Sequence, residues 1–376
     1  MGLCHPLQIS VPRPCVVVNI NDHRLEIVMF WDLLSAVHRS DIDWLESNVR
    51  HLNVDWQTCV HSKSGDTALH IAAQAGCTQV LGWLLSNGCD CCLEQQNLDG
   101  KRPLHSAVQA SHLPIVKILL DHGVAVDPLK RADWTPLMLA CTKKNLQIVK
   151  YLISHGANIR LVNKDGWTSF HLACREGTEA VILYLLELDG SLWNTVSNNG
   201  RTPLHTAAMH GRKSTVQLLL SRGNYAADEA DACGNTPLME ALRMGHVEIA
   251  EMLISDHQAS VFAKDKTGRM GLHIAAEAGQ LEVVQLLIEK YCVDVNLLSD
   301  TGLTALHCAA KEGQLSVVDA LLNIGCKTDT QDENGRTALW LACGGRKAMC
   351  VKKLLQVGAQ DIADNKGTLP SQLMSF

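Results

Sequence analysis

Histidine and cysteine are the side chains of this 376-residue chain that first point to chemistry, since it contains 17 of the one and 15 of the other. Histidine binds transition metals and acts as an acid or base near neutral pH, and cysteine binds zinc through its thiolate. The densest group is Cys89, Cys91 and Cys92. It lacks the paired Cys-x-x-Cys spacing of structural zinc sites, so buried cysteines are favoured over a metal site there.

Six of the histidines recur at one position of a repeated tetrapeptide, such as Thr202–Pro203–Leu204–His205. From fourth residue to fourth residue, nine such tetrapeptides are spaced by 35, 33, 33, 34, 34, 34, 34 and 33 residues. A fixed period of this length indicates a repeat architecture. The six are His70, His105, His171, His205, His273 and His307, and four others at recurrent positions are His112, His122, His155 and His246. We predict structural hydrogen bonds for all ten, rather than metal binding or catalysis.

The repeated unit contains the signals of two short helices. A threonine stands where it can cap the first helix, and a proline often follows at the first helical position. The second helix shows apolar spacing, as at Ile148, Val149 and Leu152. It ends at a glycine suited to a left-handed cap, and such glycines are Gly123, Gly156, Gly223, Gly325 and Gly358. Cys141, Cys174, Cys308 and Cys343 fall in or beside small-residue positions of first helices, which predicts that they are buried.

This unit resembles the ankyrin repeat, and the resemblance covers roughly 300 residues. We therefore predict an all-α ankyrin-repeat solenoid of about nine full helix-turn-helix repeats with degenerate terminal caps. The predicted organisation is a divergent N-terminal segment over residues 1–26, an N-terminal helical cap over 27–63, the repeats over 64–360 and a truncated C-terminal cap over 361–376.

Composition and motifs exclude several functional classes. The net charge of -6 gives no bulk attraction to nucleic acid or to an anionic membrane. No apolar stretch is long enough for a membrane span, and no secretory signal precedes the cysteines, so we expect a reduced compartment, the cytoplasm and also the nucleus. Phosphate-binding loops, nucleophile elbows and zinc-protease motifs are missing. We expect a monomer that is not an enzyme and has no cofactor and no metal.

A basic central region carries the strongest sign of a partner. Residues 99–212 contain 13 basic and 9 acidic side chains, a net charge of +4, which leaves -10 elsewhere. Trp134 and Trp167 stand before the threonine position of adjacent repeats, where an exposed column of residues is expected. Tryptophan and arginine dominate many protein interfaces. The predicted partner-binding residues are Lys101, Lys130, Arg131, Trp134, Lys143, Lys164, Trp167, Arg175 and Arg201.

Two other interpretations of this region remain open. The tryptophans could stack on each other or on neighbouring side chains while the charges are simply solvated. Aromatic rings among basic residues also suit single-stranded nucleic acid, although two rings and a net charge of +4 argue against it. We therefore expect a protein partner and no direct binding of nucleic acid.

Within the ankyrin family, three stretches resemble proteins that bind the catalytic domain of alanyl-tRNA synthetase. These stretches are residues 129–138, 163–171 and 201–211. The resemblance implies a non-enzymatic co-regulator of translational fidelity that captures misactivated serine on lysine side chains and so prevents serine mischarging of tRNA(Ala). Of the three implied acceptor positions, Lys164 is retained, and Arg131 replaces a lysine, for which the neighbouring Lys130 is the substitute acceptor. The third position is Asn194, which stands next to Trp193 and has no amine. The alternative is a general ankyrin adaptor for another cytosolic or nuclear assembly.

Overall fold

The computed structural model describes residues 15–17, 27–50, 54–222 and 225–374. The chain divides into two compact units, residues 1–164 and 165–376, which we call unit 1 and unit 2. Both are built from helical pairs, and the predicted all-α repeat fold is confirmed, with ten pairs in the described part of the chain, one cap pair and nine repeats. A difference from the all-α prediction is a short antiparallel pairing of β1 (Cys15–Val17) with β2 (Ile27–Met29), which precedes the first helix.

Unit 1 contains a cap pair followed by three repeats. Its first helices pack side by side, α3 on α5 and α5 on α7, and its second helices do the same, α4 on α6 and α6 on α8. The helices are α1 (Phe30–Arg39), α2 (Ile42–Asn48), α3 (Ala68–Ala75), α4 (Thr78–Ser86), α5 (Pro103–Gln109), α6 (Leu113–Asp121), α7 (Pro136–Thr142) and α8 (Leu146–Ser154).

Unit 2 contains six repeats, and a short 3₁₀ turn, Pro370–Leu373, packs against the first helix of the sixth repeat. Trp340 fixes that turn by donating its indole N–H to the carbonyl of Thr368 at 3.1 Å. The helices are α9 (Ser169–Glu176), α10 (Glu179–Leu188), α11 (Pro203–Met209), α12 (Lys213–Arg222), α13 (Pro237–Met244), α14 (Val247–Ser255), α15 (Gly271–Glu277), α16 (Leu281–Gln285, continued by a π turn to Lys290), α17 (Ala305–Glu312), α18 (Leu315–Ile324), α19 (Ala338–Gly344) and α20 (Ala348–Gln356).

Threonine begins most of the first helices, as the sequence predicts. Its side chain accepts a hydrogen bond from the backbone N–H three residues later, which satisfies one of the unpaired donors of the first turn. The capping threonines are Thr67, Thr135, Thr168, Thr202, Thr236, Thr304 and Thr337. Arg102 and Met270 take this place in the other two repeats, and there the histidine ring accepts their backbone N–H.

The six recurring histidines join neighbouring repeats, so their predicted structural role is confirmed. Nδ1 of His205 accepts the backbone N–H of Thr202 at 3.2 Å, so Nε2 carries the proton and donates it to the carbonyl of Asn235 at 2.9 Å. The others donate in the same way: His70 to Lys101 at 2.8 Å, His105 to Trp134 at 3.3 Å, His171 to Arg201 at 3.3 Å, His273 to Leu303 at 2.9 Å and His307 to Arg336 at 3.1 Å. We call this contact the histidine bridge.

The other recurrent histidines and the small-position cysteines are also structural. His112 and His246 donate to the carbonyls of Gln74 and Met209 in the preceding repeat, both at 3.1 Å. His122 and His155 donate to carbonyls one turn earlier in their own chain segment. Cys141, Cys174, Cys308 and Cys343 are buried. Four of the predicted cap glycines have positive φ, Gly123, Gly156, Gly325 and Gly358, whereas Gly223 lies outside the described residues.

Each repeat is joined to the next by a tight loop, here called a finger. In most fingers the first side chain accepts two backbone N–H groups of its own loop, as Asn97 Oδ1 does from Asp99 and Lys101, both at 2.9 Å. Adjacent fingers are linked through backbone atoms, as where Leu98 donates to the carbonyl of Ser64 at 2.9 Å. A glycine with positive φ completes the turn, and at Gly65 (φ 71°) an added Cβ would lie 3.0 Å from the backbone nitrogen of Leu98.

Replacement of Gly65 by alanine should destabilise unit 1 by about 1–3 kcal/mol, because it combines a left-handed backbone with a close approach to the next finger. Gly82 is the matched control, since it lies inside α4 with no atom within 4 Å of an added Cβ. Gly82→Ala should stabilise by about 1 kcal/mol through helix propensity. Urea denaturation of both variants checks the sign, and destabilisation by both would contradict this explanation.

Stability should fall as the pH drops below about 6.5. Burial lowers the pKa of all six bridge histidines, to about 4 for His105 and His171. The unfolded chain, with ordinary histidine pKa values near 6.5, therefore binds protons that the folded chain excludes. The contribution is complete above pH 6.5 and is lost toward pH 4.

The free energy of unfolding, measured in urea from pH 8 to pH 4.5, checks this dependence. His205→Gln removes one bridge and should cost about 1–3 kcal/mol at pH 7.5 while making the pH dependence shallower. His257→Gln, outside the repeated position, should change neither. A flat profile between pH 7 and pH 5 is the result that this mechanism does not allow.

Candidate protein-binding site

The finger of residues 130–134 departs from the pattern of the other fingers. Lys130 occupies the first position, where Asn97 or Asp265 accepts two backbone N–H groups, and an ammonium group cannot accept them. Asp133 stands where the turn glycine is found, with φ 60°, and Ala132 precedes it with φ 63°. Two consecutive left-handed residues with side chains are costly and are found most often at functional sites. This finger therefore lacks both the side-chain acceptor and the turn glycine that stabilise most of the other fingers.

Lys130 and Trp134 lie together at the base of this finger. The finger closes through a backbone hydrogen bond from Lys130 to Trp134 at 3.0 Å, and Lys130 Nζ lies 5.4 Å from the centre of the Trp134 ring. Both residues are half-buried, so the expectation of an exposed tryptophan is wrong for Trp134. Burial lowers the pKa of the Lys130 ammonium, and the nearby charge of Lys101 lowers it further. Lys130 is therefore more readily neutral than an ordinary surface lysine.

A polar groove of about 230 Å³ lies in unit 1 and is lined in part by the preceding finger, residues 97–101. Lys101 and Lys143 line it together with polar groups that the sequence analysis did not single out, including Asp66, Gln74 and Ser106. Asp66 is held in place because Asn97 donates to it at 2.6 Å and Ser64 donates to it at 2.6 Å. Lys101 makes a loose pair with Asp99 at 3.7 Å. The groove offers both signs of charge to a partner.

Arg131 and Lys164 belong to adjacent fingers of unit 1 that are bonded to their neighbours through the backbone. Arg131 is exposed, and its N–H donates to the carbonyl of Asp99 at 2.9 Å. Lys164 is exposed as well, and its N–H donates to the carbonyl of Ala132 at 3.1 Å. Six of the nine predicted site residues, Lys101, Lys130, Arg131, Trp134, Lys143 and Lys164, thus lie in the same unit, five of them on adjacent fingers.

Unit 2 holds the three other predicted residues, in two separate arrangements. Trp167 is half-buried and stacks on the bridge histidine His171, with ring centres 6.3 Å apart, and the Arg175 guanidinium lies 5.9 Å from its ring. The same guanidinium pairs with Glu176 at 2.9 Å. Trp167 and Arg175 form a second aromatic and cationic pair.

Arg201 is engaged in the interior of its own unit. Its guanidinium contacts the buried carboxylates of Asp231 at 3.3 Å and Glu240 at 2.7 Å. Two buried carboxylates need this cation, because an unpaired buried charge is strongly destabilising. The structure therefore gives Arg201 a stabilising role, and its role in partner binding stays a prediction.

Asn194, the third implied acceptor position, is placed differently from the first two. It is exposed in a 3₁₀ turn, Leu192–Asn194, that follows α10 rather than in a finger. The neighbouring Trp193 is half-buried, and its carbonyl accepts the Tyr225 hydroxyl at 2.6 Å. The amide of Asn194 has no nucleophilic amine, so acyl transfer to this residue is chemically excluded.

Comparison with known protein families agrees with this architecture. A model described as ankyrin repeats in three copies matches residues 33–130, 123–195, 188–265 and 257–332, and a single ankyrin repeat model matches residues 334–366. The chain belongs to the ankyrin repeat family. Ankyrin repeats are protein-binding modules, which supports the expectation of a protein partner.

Curated relatives of this ankyrin protein include protein phosphatase 1 regulatory subunit 12A from Mus musculus and from Rattus norvegicus. Each is 35% identical over 80 residues, which is 21% of this chain and 8% of the relative. The chain thus spans less than a tenth of the relatives it matches. In the described ranges, no helix is long and apolar enough to cross a membrane, and no three His, Cys, Asp or Glu side chains are grouped to hold a metal ion.

Lys130 should be acylated faster than an ordinary surface lysine at pH 8.5, because its lower pKa leaves more of the reactive neutral amine. Lys213 is the internal reference, since Glu248 raises the pKa of its ammonium. Limited labelling with an N-hydroxysuccinimide ester and peptide mass spectrometry should give several-fold more label at Lys130. Lys101→Met should reduce that excess, whereas Lys117→Met on α6 should not. Equal labelling of Lys130 and Lys213 would show that the finger does not activate its lysine.

Proposed function

We propose that this ankyrin protein binds the catalytic domain of alanyl-tRNA synthetase through the fingers and groove of unit 1, and that it captures misactivated serine on finger lysines. The observation that carries the proposal is the finger of residues 130–134, where Lys130 stands in place of the usual side-chain acceptor, Asp133 replaces the turn glycine, and Lys130 lies against the Trp134 ring. Its sequence is also the first of the three stretches that resemble ankyrin repeat domain-containing protein 16. The left-handed backbone at Ala132 and Asp133 is strained, and such strain is expected where the side chains of a loop have a function.

The proposed chemistry is the transfer of an acyl group from an activated amino acid to an amine. The neutral Nζ of lysine attacks the carbonyl carbon of seryl adenylate, and the bond from that carbon to the phosphate oxygen breaks. AMP leaves with the electron pair, the ammonium intermediate loses a proton to solvent, and a seryl amide remains on the lysine. Each lysine reacts once, so the protein is a stoichiometric acceptor and not an enzyme.

The environment of Lys130 supports its use as an acceptor. Its partial burial and the charge of Lys101 both favour the neutral amine, and the adjacent Trp134 ring offers an apolar surface. Arg131 cannot serve, because its guanidinium stays protonated. Lys164, on the adjacent finger, is the second acceptor. Two acceptors therefore replace the three that the resemblance implies.

The coarser alternative is an ankyrin adaptor for a different assembly. The phosphatase regulatory subunits named above support this alternative, although their similarity to this chain covers only 80 residues. The tryptophan pairs and the groove would serve either kind of partner. With a synthetase partner, we expect the protein in the cytoplasm and also in the nucleus.

Binding of the full-length protein to the isolated synthetase catalytic domain tests the partner. Trp134→Ala should weaken the affinity about 30-fold, which corresponds to ~2 kcal/mol, because it removes a large aromatic ring from a finger of the proposed binding surface. Phe262→Ala is the matched control, since Phe262 is an exposed aromatic residue of unit 2 (55% exposed) and should leave the affinity unchanged.

Mass spectrometry of the complex supplied with serine and ATP tests the capture step. Seryl groups are expected on Lys130 and Lys164, and they should disappear from each position in Lys130→Arg and Lys164→Arg. Arg131→Lys should add a third acceptor, and Lys213→Arg should change nothing. A stable complex without adducts would contradict serine capture and support binding alone. Failure to form a complex would contradict the synthetase partner and support the adaptor alternative.

A further inference from the structure

A second group of reactive side chains lies in unit 1, at the end of α4 and outside the fingers. A 3₁₀ turn, Cys89–Cys92, contains three cysteines in the order Cys-Asp-Cys-Cys. Cys89 and Cys92 are buried, and Cys91 is exposed. The turn therefore combines two buried thiols with one that reagents can reach.

The sulfur atoms of the turn are in contact. Cys91 Sγ lies 3.7 Å from Cys92 Sγ, and the interaction with Cys92 is the largest cause that raises the pKa of the Cys89 thiol. A 3₁₀ helix rises about 2.0 Å per residue and eclipses the side chains of residues i and i+3, so the Cα atoms of Cys89 and Cys92 should be about 6 Å apart. Disulfides span Cα separations of roughly 4.4–6.8 Å. A bond between Cys89 and Cys92 fits the turn as it stands.

The contacts also distinguish the three thiols. Cys92 receives hydrogen bonds from Cys89 and Cys91, and these lower the pKa of its thiol. Burial and the hydrogen bond to Cys92 raise the pKa of Cys91 to about 11, and the pKa of Cys89 is raised for the same reasons. Cys92 is the sulfur that most readily carries negative charge, which makes it the internal nucleophile.

We propose that this turn is an oxidation site, in which hydrogen peroxide enters at Cys91 and the product is a Cys89–Cys92 disulfide. The Cys91 thiolate attacks one peroxide oxygen, the O–O bond breaks, and the leaving hydroxide takes up a proton as water. Cys91 is then a sulfenic acid. The sulfur is oxidised and the peroxide is reduced.

Two exchanges move the oxidation inward. The Cys92 thiolate attacks the Cys91 sulfur, the S–O bond breaks, and a second water leaves, which gives a Cys91–Cys92 disulfide. This intermediate is strained, because the Cα atoms of adjacent residues are only about 3.8 Å apart, and the strain favours the next exchange. Cys89 then attacks Cys92, the first disulfide breaks, and Cys91 leaves as a thiolate that takes the proton of Cys89. Overall, two thiols and one peroxide give one disulfide and two waters, and Cys91 is regenerated.

The position of the turn gives the bond a structural effect. The loop before the first repeat is attached here, because Trp56 donates to the carbonyl of Asn87 at 2.9 Å and Gln95 donates to the carbonyl of Gln57 at 2.9 Å. Cys59 of the same loop is buried. A disulfide in the turn would restrict the junction between that loop and the repeats of unit 1.

Peptide mapping of the full-length protein after graded peroxide treatment tests the proposal. Thiols are blocked with one alkylating reagent, the protein is reduced, and new thiols are labelled with a second. The expected product carries the second label on Cys89 and Cys92 and the first label on Cys91. It should form at a lower peroxide dose than oxidation of Cys141, a buried cysteine of α7 that peroxide cannot reach as easily as Cys91.

Variants separate the three roles. Cys91→Ser should slow formation of the Cys89–Cys92 bond at least tenfold, and Cys89→Ser should stop the reaction at the Cys91–Cys92 disulfide. Cys233→Ser should leave it unchanged. Formation of the bond at an equal rate in Cys91→Ser overturns the entry role. Irreversible oxidation of Cys91 without any disulfide, or disulfides formed only between molecules, overturns the proposal.

Discussion

The histidine bridge is the contact on which the stacking of the repeats depends. One imidazole accepts a backbone N–H at the start of its own first helix and donates to the carbonyl at the end of the next finger. This double use works only for a neutral ring of one tautomer, which burial maintains. A capped helix end and the attachment of the next repeat are thus achieved by a single side chain. Repeats without the histidine, such as the one with Met138, retain the threonine cap alone.

Much of the fold was predictable because the same sequence signals recur in each repeat. Threonine caps, proline at first helical positions and recurring histidines indicate the helices and the period together. The terminal boundaries have no comparable repetition, and the short β1–β2 pairing was not predicted. Helix propensity and the repeat spacing predict the structure of a typical repeat, but they do not predict segments that occur only once in the chain.

The candidate site was predicted only in part, because a column of residue types does not reveal where each side chain is used. Trp134 and Trp167 were expected to be exposed, but each is half-buried against a cation. Arg201 looked like its neighbours in the column, yet two buried carboxylates hold it. The strained finger did have a signal in the sequence, since Asp133 replaces the turn glycine. Pairing partners that are distant in sequence have no such signal.

Adjacent fingers within each unit share a backbone hydrogen bond in addition to any side-chain contacts, as in Leu98 to Ser64 in unit 1 and Lys266 to Cys233 in unit 2. The residue at a finger tip can therefore change without loss of the bond that aligns its neighbour. Backbone atoms of a finger align the neighbouring repeats, whereas its side chains are available to contact a partner. An engineer could exchange finger-tip side chains to redirect such a protein toward a new target while the order of its repeats is preserved.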